Sequence, residues 1–286
     1  MSLEAIAAQA VSGLIVATQL FLVASGLTLI FGVARIINMA HASFYMFGAY
    51  LFYVVTDRIG NLTTGYVVAL VTVPFMVAAL ATVLEVVIFR RVYHHGMFVV
   101  AMLSFGLVFI AEGMARVIFG NQAYLVELPD VLRGSIYVGS YGFPAFSVPV
   151  LVMAPLVALA IWTVFYRTRF GIVVRAATMD PEMLNALGIN VPRVTTITFA
   201  AASWLAALGG VLAAPTTALL PTMDSDILIE AFAVVVIGGL GSVAGSVLAA
   251  LIIGELLAFG LLAFPALSLV LVFVIMAVVL VIRPWG

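Results

Sequence analysis

Long apolar stretches separated by short polar groups run through the first three quarters of the chain. They lie near residues 9–34, 40–56, 66–89, 97–119, 147–166 and 194–214, and charged, proline or glycine residues divide them. A helix needs about 20 mostly apolar residues to cross the hydrocarbon core of a bilayer. The pattern therefore predicts six membrane-spanning helices in this part of the chain.

The C-terminal third is equally apolar, but glycine and proline interrupt it. No charged residue occurs in 231–254 or 256–282. The interruptions are Gly238, Gly239, Gly241, Gly245 and Pro265. We predict a short, broken or re-entrant segment near 228–240, which needs protein or water around its unpaired backbone groups. Two further spans are expected near 243–262 and 266–282.

These elements predict an all-α integral membrane protein, a polytopic helical bundle with about eight spans plus one broken or re-entrant segment. Composition agrees, because 66% of the 286 residues are hydrophobic and only 8% are charged. A soluble domain carries about 25% charged residues. We therefore expect one transmembrane domain over residues 1–286, with the lipid bilayer and no nucleic acid around it.

The charged residues narrow the possible chemistry. All eleven cationic side chains are arginine, and the chain has no lysine and no cysteine. A Walker A site needs a lysine, so ATP hydrolysis at such a site is excluded for this chain. Thiolate metal sites and cysteine nucleophiles are also excluded. We expect no metal site and no cofactor on the chain.

Arginine position predicts the orientation, because short cytoplasmic loops collect arginine. One cluster is Arg90 and Arg91 beside His94 and His95, a second is Arg167, Arg169, Arg175 and Arg193, and Arg283 is the last arginine of the sequence. These regions are predicted to be cytoplasmic. Glu4, the 57–65 loop, the 120–146 segment and the acidic 224–226 turn are then predicted to lie outside.

The loop at residues 167–193 contains the signals of a short helix. Asp180 is suited to cap a helix, Pro181 fits its first position, and Gly188 is a natural stop. We predict a helix over 181–187. Met183, Leu184 and Leu187 are expected on one side, with Glu182 and Asn185 on others. A helix this short must pack against something, and the sequence leaves open whether that is its own bundle, the membrane surface or a partner's groove.

Three stretches in the same order along the chain resemble LivH-type permeases, the membrane subunits of ABC importers for branched-chain amino acids and related small solutes. They are GLTLIFG at 26–32 with INMAH at 37–41, the loop from YRTRFG at 166–171 to GIN at 188–190, and GGLGS at 238–242. One departure concerns the residues after His41. The family usually has glycine and then an acidic residue there, whereas this chain has Ala42 and Ser43, so the solute class could have drifted.

The resemblance implies a non-enzymatic translocation subunit in a bacterial or archaeal cytoplasmic membrane. ATP and Mg would be bound by two separate ATPase subunits. The other implied partners are a second permease subunit, LivM-like or a second copy, and an extracytoplasmic solute-binding protein. The loop would couple to the ATPase through Arg175, Asp180, Glu182, Met183, Leu184, Leu187 and Gly188.

The resemblance and the interrupted spans together suggest where the translocation pathway lies. The candidate residues are Asn38, His41, Ser43, Glu230, Gly238, Gly239, Gly241 and Glu255. His41 is expected either to hydrogen-bond a broken helix or to contact the solute. Gly241 and Gly245 have the GxxxG spacing of closely packed helices.

The carboxylates within the spans need partners or a cavity. Glu112 lies four residues before Arg116, so we expect an ion pair on one helical face. Glu85, five residues before Arg90, is expected to reach the membrane interface. Glu255 has no charged neighbour within twenty residues and should face the bundle or a cavity.

Two other functions remain as alternatives. The first is a stand-alone secondary transporter or channel, in which broken helices form the solute site. The second, an intramembrane hydrolase, is poorly supported because the chain has neither the HExxH nor the nucleophile-elbow motif.

Overall fold

A computed structural model gives the fold, and it describes residues 3–138, 141–263 and 268–282. Predictions about the side chain of Glu4, about Pro265 and about Arg283 lie outside the described residues.

Helices make up most of the described chain. They are α1 (Leu3–Ala34), α2 (His41–Arg58), α3 (Leu62–Leu84), α4 (Arg90–Val92), α5 (Met97–Phe119), α6 (Asp130–Arg133), α7 (Ser147–Arg167), α8 (Arg169–Met179), α9 (Pro181–Ala186), α10 (Val191–Ala213), α11 (Met223–Gly238), α12 (Val243–Ala263) and α13 (Ser268–Ile282). A π-helical segment, Glu85–Phe89, joins α3 to α4, and a 3-10 turn, Tyr93–His95, follows α4. Strands β1 (Ser135–Val138) and β2 (Tyr141–Pro144) form an antiparallel hairpin with Ser135 opposite Pro144.

The prediction of a polytopic helical membrane protein is confirmed, although fewer helices are full spans than expected. In the described residues, six helices are long and apolar enough to cross a bilayer: α1, α3 with its continuation to His95, α5, α7, α10 and α12. The apolar helix over Val270–Ile282 is shorter. Helix α2 has only 18 residues, and its polar ends, His41 at one and Asp57 and Arg58 at the other, reduce its apolar length.

Helices α1 and α10 form the centre of the bundle. In the most apolar part of each of these two helices, 72% of the residues are buried, against 28% in α3 and α5 and 17% in α7. The most extensive contacts of α1 are with α12 and α10. The outer helices therefore present apolar side chains away from the protein, as lipid contact requires.

Helix α2 begins inside the bundle. The imidazole of His41, its first residue, is hydrogen-bonded to the carbonyl oxygen of Val23 on α1. Val23 lies eleven residues before Ala34, the end of α1, which is ~16 Å along a helix axis. Arg35 reverses the chain with a φ of +52°, and residues 36–40 return without helical structure to this depth.

The break in the C-terminal third lies later than the sequence predicted. Helix α11 is continuous from Met223 to Gly238, and the interruption falls at Gly239–Ser242, where Gly239 and Gly241 have φ of +87° and +92°. The helix also begins five residues before the predicted start at 228. Residues 224–226, which were predicted to form an acidic turn on the outer side, belong instead to the first turn of α11, and Asp224 is buried there.

The bundle has two chemically different ends. We call the end with residues 90–96 and 167–190 the basic end; Arg35 and Gly241 are also there, since Arg35 contacts Thr178 and Gly241 packs on Gly32. The opposite end carries the turn at 59–61 and residues 120–128, which together line one surface pocket.

Candidate translocation and coupling sites

The short helix α9 projects from the basic end; it begins at the predicted residue and ends one residue before the predicted 187. The Asp180 side chain accepts a hydrogen bond from the Met183 backbone N–H at 2.9 Å. Pro181 occupies the first helical position, and the helix ends at Ala186. Gly188 then adopts a φ of +80°, which favours glycine.

The faces of α9 differ from the prediction. Leu184 is buried, with 5% of its surface exposed, whereas Met183 is 58% and Leu187 71% exposed. Neighbouring helical residues point about 100° apart, so Leu184 and Met183 do not share a side. Leu184 anchors the helix to its own chain, whereas Met183, Leu187 just after the helix and Met179 at the end of α8 are exposed apolar residues. Glu182 is exposed.

Helix α8, which precedes α9, was missed by the sequence analysis. Its start is capped by Thr168, whose hydroxyl accepts from the Gly171 N–H at 3.2 Å. Its buried face contains Gly171, Val174 and Ala177. The sequence signal for this helix is a threonine suited to cap it, followed by small or apolar residues at every third position.

Arg175 holds the corner between α7 and α8. Its guanidinium donates to the Phe165 carbonyl oxygen and lies 5.2 Å from the centre of the Tyr166 ring. It is therefore occupied within the chain, although it was selected as a candidate for contact with the ATPase. Beside it, Val33, Val174 and Val194 form a small buried cluster that joins α1, α8 and α10.

Arg35 connects this loop to the break between α1 and α2. Its guanidinium donates to the carbonyl oxygen of Thr178, one residue from the end of α8. Arg35 also starts the non-helical segment that leads to His41. A shift of α8 would therefore act directly on that segment.

The break itself encloses polar groups. His41 is 1% exposed, and its Nε2 lies 3.1 Å from the Val23 carbonyl oxygen. Asn38 is completely buried, and both polar atoms of its side chain lack a hydrogen-bond partner among the described residues. The Met39 N–H donates to Ser104 Oγ on α5 at 3.1 Å.

A chain of buried polar side chains joins α2, α11 and α5. Ser43 Oγ donates to Asp224 Oδ2 at 2.7 Å, and Ser225 Oγ donates to Glu112 Oε1 at 2.8 Å. Arg116 pairs with Glu112 at 3.1 Å, as predicted. A carboxylate thus does lie beside Ser43, but a different helix supplies it. No local signal could identify Asp224, because 181 residues separate it from Ser43.

Glu85 does not reach the membrane interface, contrary to expectation. The residue is completely buried, and its Oε2 accepts from Arg90 at 3.1 Å and from the Thr196 hydroxyl on α10 at 2.8 Å. Glu85 opens the π-helical segment, whose wider turn brings a residue five positions later into line with it.

The glycines of the C-terminal break allow a close approach of α11 and α12. A Cβ at Gly238 would lie 2.5 Å from the Gly245 carbonyl carbon, and a Cβ at Gly245 would overlap the Gly238 carbonyl oxygen. Gly241 instead packs against Gly32 of α1. The close pair is therefore Gly238 with Gly245 rather than Gly241 with Gly245.

The two remaining acidic candidates occupy different surroundings. The Glu255 carboxylate packs on Gly13 of α1, so it faces the bundle as predicted. Glu230 lies midway along α11 and lines a cavity of about 620 Å³ near the opposite end, together with Asp226 and Tyr45.

Comparison with known proteins identifies the family. A family model described as "Branched-chain amino acid transport system / permease component" matches residues 9–280. The chain belongs to this permease family. It is accordingly a multi-pass protein of the cytoplasmic membrane with a translocation role.

Individual relatives cover most of the chain. The "High-affinity branched-chain amino acid transport system permease protein BraD" of Pseudomonas aeruginosa is 26% identical over 97% of this chain and 94% of its own. The corresponding LivH protein of Escherichia coli is 27% identical over 86% of this chain and 83% of its own. The "Fructose import permease protein FrcC" of Rhizobium meliloti is 35% identical over 40% of this chain and 33% of its own. No solved structure matches the chain.

Proposed function

We propose that this permease forms half of the translocation path of an ATP-driven importer for branched-chain or other neutral amino acids. The names of its relatives BraD and LivH support this solute class. A second permease subunit, LivM-like or a second copy, completes the path. Two separate ATPase subunits bind ATP and Mg, and an extracytoplasmic binding protein delivers the solute.

The observation that carries the proposal is the exposed apolar side of α9. Met183 on α9 is 58% exposed, and the apolar residues that flank the helix, Met179 at the end of α8 and Leu187 just after α9, are 82% and 71% exposed. A helix of this length is too short to be stable alone. Leu184 and the Asp180 cap hold this helix in place. Such a side is suited to insert into a groove of the ATPase, at the basic end, which we place in the cytoplasm.

A mechanical path leads from α9 to the helix break. Movement of α9 is transmitted to α8, and the hydrogen bond from Arg35 to Thr178 passes it to residues 36–40. These residues lead directly to His41 and Ser43, and Ser43 is bonded to Asp224 at the start of α11. We infer that closure of the ATPase dimer alters the junction of α2 and α11 and so opens the path alternately.

The test is transport by the purified transporter in proteoliposomes with the second permease subunit, the ATPase subunits and the binding protein present. We expect leucine uptake to require ATP, and Met183→Asp with Leu187→Asp to abolish it without loss of folded protein. The matched control is Glu182→Gln, an exposed change on the same helix, which should retain most uptake. Uptake by the permease alone without ATP would instead favour the stand-alone transporter or channel.

A further inference from the structure

The cavity near the opposite end is built from α1, α2, α11 and α12 and from the loop between α10 and α11. Its volume is about 620 Å³. The polar side chains that line it include Gln9, Ser12, Gln19, Tyr45, Asp226 and Glu230. Its other wall is hydrocarbon, supplied by Val16, Ile227, Leu257 and Leu261.

The charge in this cavity has one sign. Asp226 and Glu230 are four residues apart, so both lie on one face of α11. Among the described residues neither carboxylate has an ion pair, and no arginine or histidine lines the cavity. Two like charges at this spacing within a membrane protein are unfavourable unless a cation accompanies them.

Tyr45 provides a second, independent indication of a ligand. The residue is only 5% exposed, and it lines the same cavity as the two carboxylates. Within the part of the chain that the structure describes, this hydroxyl has no hydrogen-bond partner. Because Tyr45 lines the cavity, a polar group within the cavity is expected to be the partner of this hydroxyl.

We propose that this cavity is a transient binding site for solutes that carry a positively charged ammonium group beside a hydrocarbon chain. Asp226 and Glu230 accept from the ammonium group, and the apolar wall covers the hydrocarbon. This inference rests on the proposed import function and narrows its solute class. Amines and the ammonium end of neutral amino acids fit, whereas urea and amides lack the charge and solutes of net negative charge meet repulsion.

An inorganic cation fits the cavity less well. Metal ions in proteins are held by several oxygen or nitrogen ligands at short distance. The described residues contain no group of three or more histidine, cysteine, aspartate or glutamate side chains that could hold a metal ion. The volume and the apolar wall also exceed what a bare ion requires.

The absence of native cysteine gives a direct test, because a single introduced thiol is a clean reporter. Ser12→Cys places a thiol in the cavity wall, and Thr63→Cys places one on the exposed start of α3 as a reference. In membranes containing the assembled transporter, each is labelled with trimethylammonium-ethyl or sulfonatoethyl methanethiosulfonate. We expect Ser12→Cys to prefer the cationic reagent by at least ~10-fold relative to the reference thiol, because a cavity of one charge concentrates counter-ions.

Charge removal identifies the source of that preference. Asp226→Asn with Glu230→Gln should abolish it. The matched control, Glu127→Gln with Asp130→Asn, removes two exposed carboxylates from the same end and should leave it unchanged. Equal reaction of the two reagents at Ser12→Cys, or loss of the preference in the control, would overturn the proposal.

Protection identifies the ligand. Leucine and 3-methylbutylamine, which carry the ammonium group, should slow labelling of Ser12→Cys, and 4-methylpentanoate, which has the same hydrocarbon without it, should not. Equal protection by 4-methylpentanoate, equal protection by sodium chloride, or protection by none of the three organic probes would overturn the proposal. The labelling experiment needs no ATP, so it tests the cavity independently of the proposed ATP-driven import. If import is not driven by ATP, uptake will occur without ATP while Ser12→Cys still prefers the cationic reagent.

Discussion

At the scale of single residues, the structure depends on a few positions where backbone or polar atoms meet closely. Gly171 lies in the first turn of α8, against the end of α7, and a Cβ there would overlap the Phe165 carbonyl oxygen. Ser43 supplies a hydrogen bond to a carboxylate that is completely buried. Each position is sensitive to a change of very few atoms.

Gly171→Ala should destabilise the protein by ~1–3 kcal/mol, because overlap with backbone cannot be relieved by a side-chain rotation. Gly113→Ala is the matched control, since nothing lies within 4 Å of a Cβ at that helical position. The control should be neutral or slightly stabilising. Thermal unfolding of the purified protein in detergent measures both, and equal melting temperatures for the two variants would contradict the prediction.

Ser43→Ala should cost ~1–3 kcal/mol, because it leaves the buried Asp224 carboxylate without one of its donors. Asp224→Asn in the Ser43→Ala background should recover part of this loss, since a neutral amide is cheaper to bury than a carboxylate. A double-mutant cycle on unfolding free energies gives the coupling directly. Additive losses would mean that the 2.7 Å contact contributes nothing.

Sequence patterns predicted the single-residue caps well and the long-range partners poorly. The Asp180 cap, the Pro181 start and the Gly188 stop depend on neighbours within a few positions, so local rules identify them. Asp224 and Glu85 took part in contacts across 181 and 111 residues, with Ser43 and Thr196 respectively. Both carboxylates were therefore placed at surfaces, where an isolated charge is cheapest.

At the scale of elements, the apolar stretches gave most helix boundaries, because their length and composition are sufficient to define a span. Helix α5 matches its prediction at both ends, and α12 differs only at Ala263. The prediction for α2, 40–56, lies within two residues of the observed His41–Arg58, whereas α11 begins five residues before the predicted 228. These two helices begin inside the protein, where buried serine and aspartate replace the polar interface that normally marks a span's end.

Arg35→Gly separates the backbone role of this residue from its role as a link between elements. A non-glycine residue at φ +52° costs ~1–2 kcal/mol, so glycine should leave stability unchanged or raised. The substitution also removes the hydrogen bond to Thr178, and ATP-driven leucine uptake should fall several-fold. A stable variant with wild-type uptake would show that the hydrogen bond from Arg35 to Thr178 transmits no movement. The control is Arg91→Gly, at an exposed position of the same end.

At the scale of the whole molecule, the bundle has a buried pair of helices, an apolar exterior and two chemically different ends. The basic end carries the exposed side of α9, and the opposite end opens into the acidic cavity. The arginine pattern predicts that these ends face opposite sides of the membrane. That orientation also places the cavity where an extracytoplasmic protein would release its solute.

Single cysteines test this orientation in a chain that has none of its own. Met183→Cys should react with a membrane-impermeant maleimide only in inside-out vesicles, and Asp130→Cys only in right-side-out vesicles or intact cells. Both residues are exposed, so access is limited by the membrane rather than by packing. Labelling of Met183→Cys from the outer side would reverse the assigned orientation of the protein in the membrane. Helix α9 could then not contact a cytoplasmic ATPase.

The pairing of α1 with α12 has a consequence for biosynthesis. Helix α1 leaves the ribosome before α12 and meets this main neighbour only after about 240 further residues have been made: Gly13 lies against Gly254 and Glu255, and Thr28 bonds to Ser246. Until α12 is made, the surface of α1 around Gly13 and the hydroxyl of Thr28 lack their partners from α12. Chains that stop before α12 should therefore remain open to quality-control proteases, however well their earlier spans have inserted.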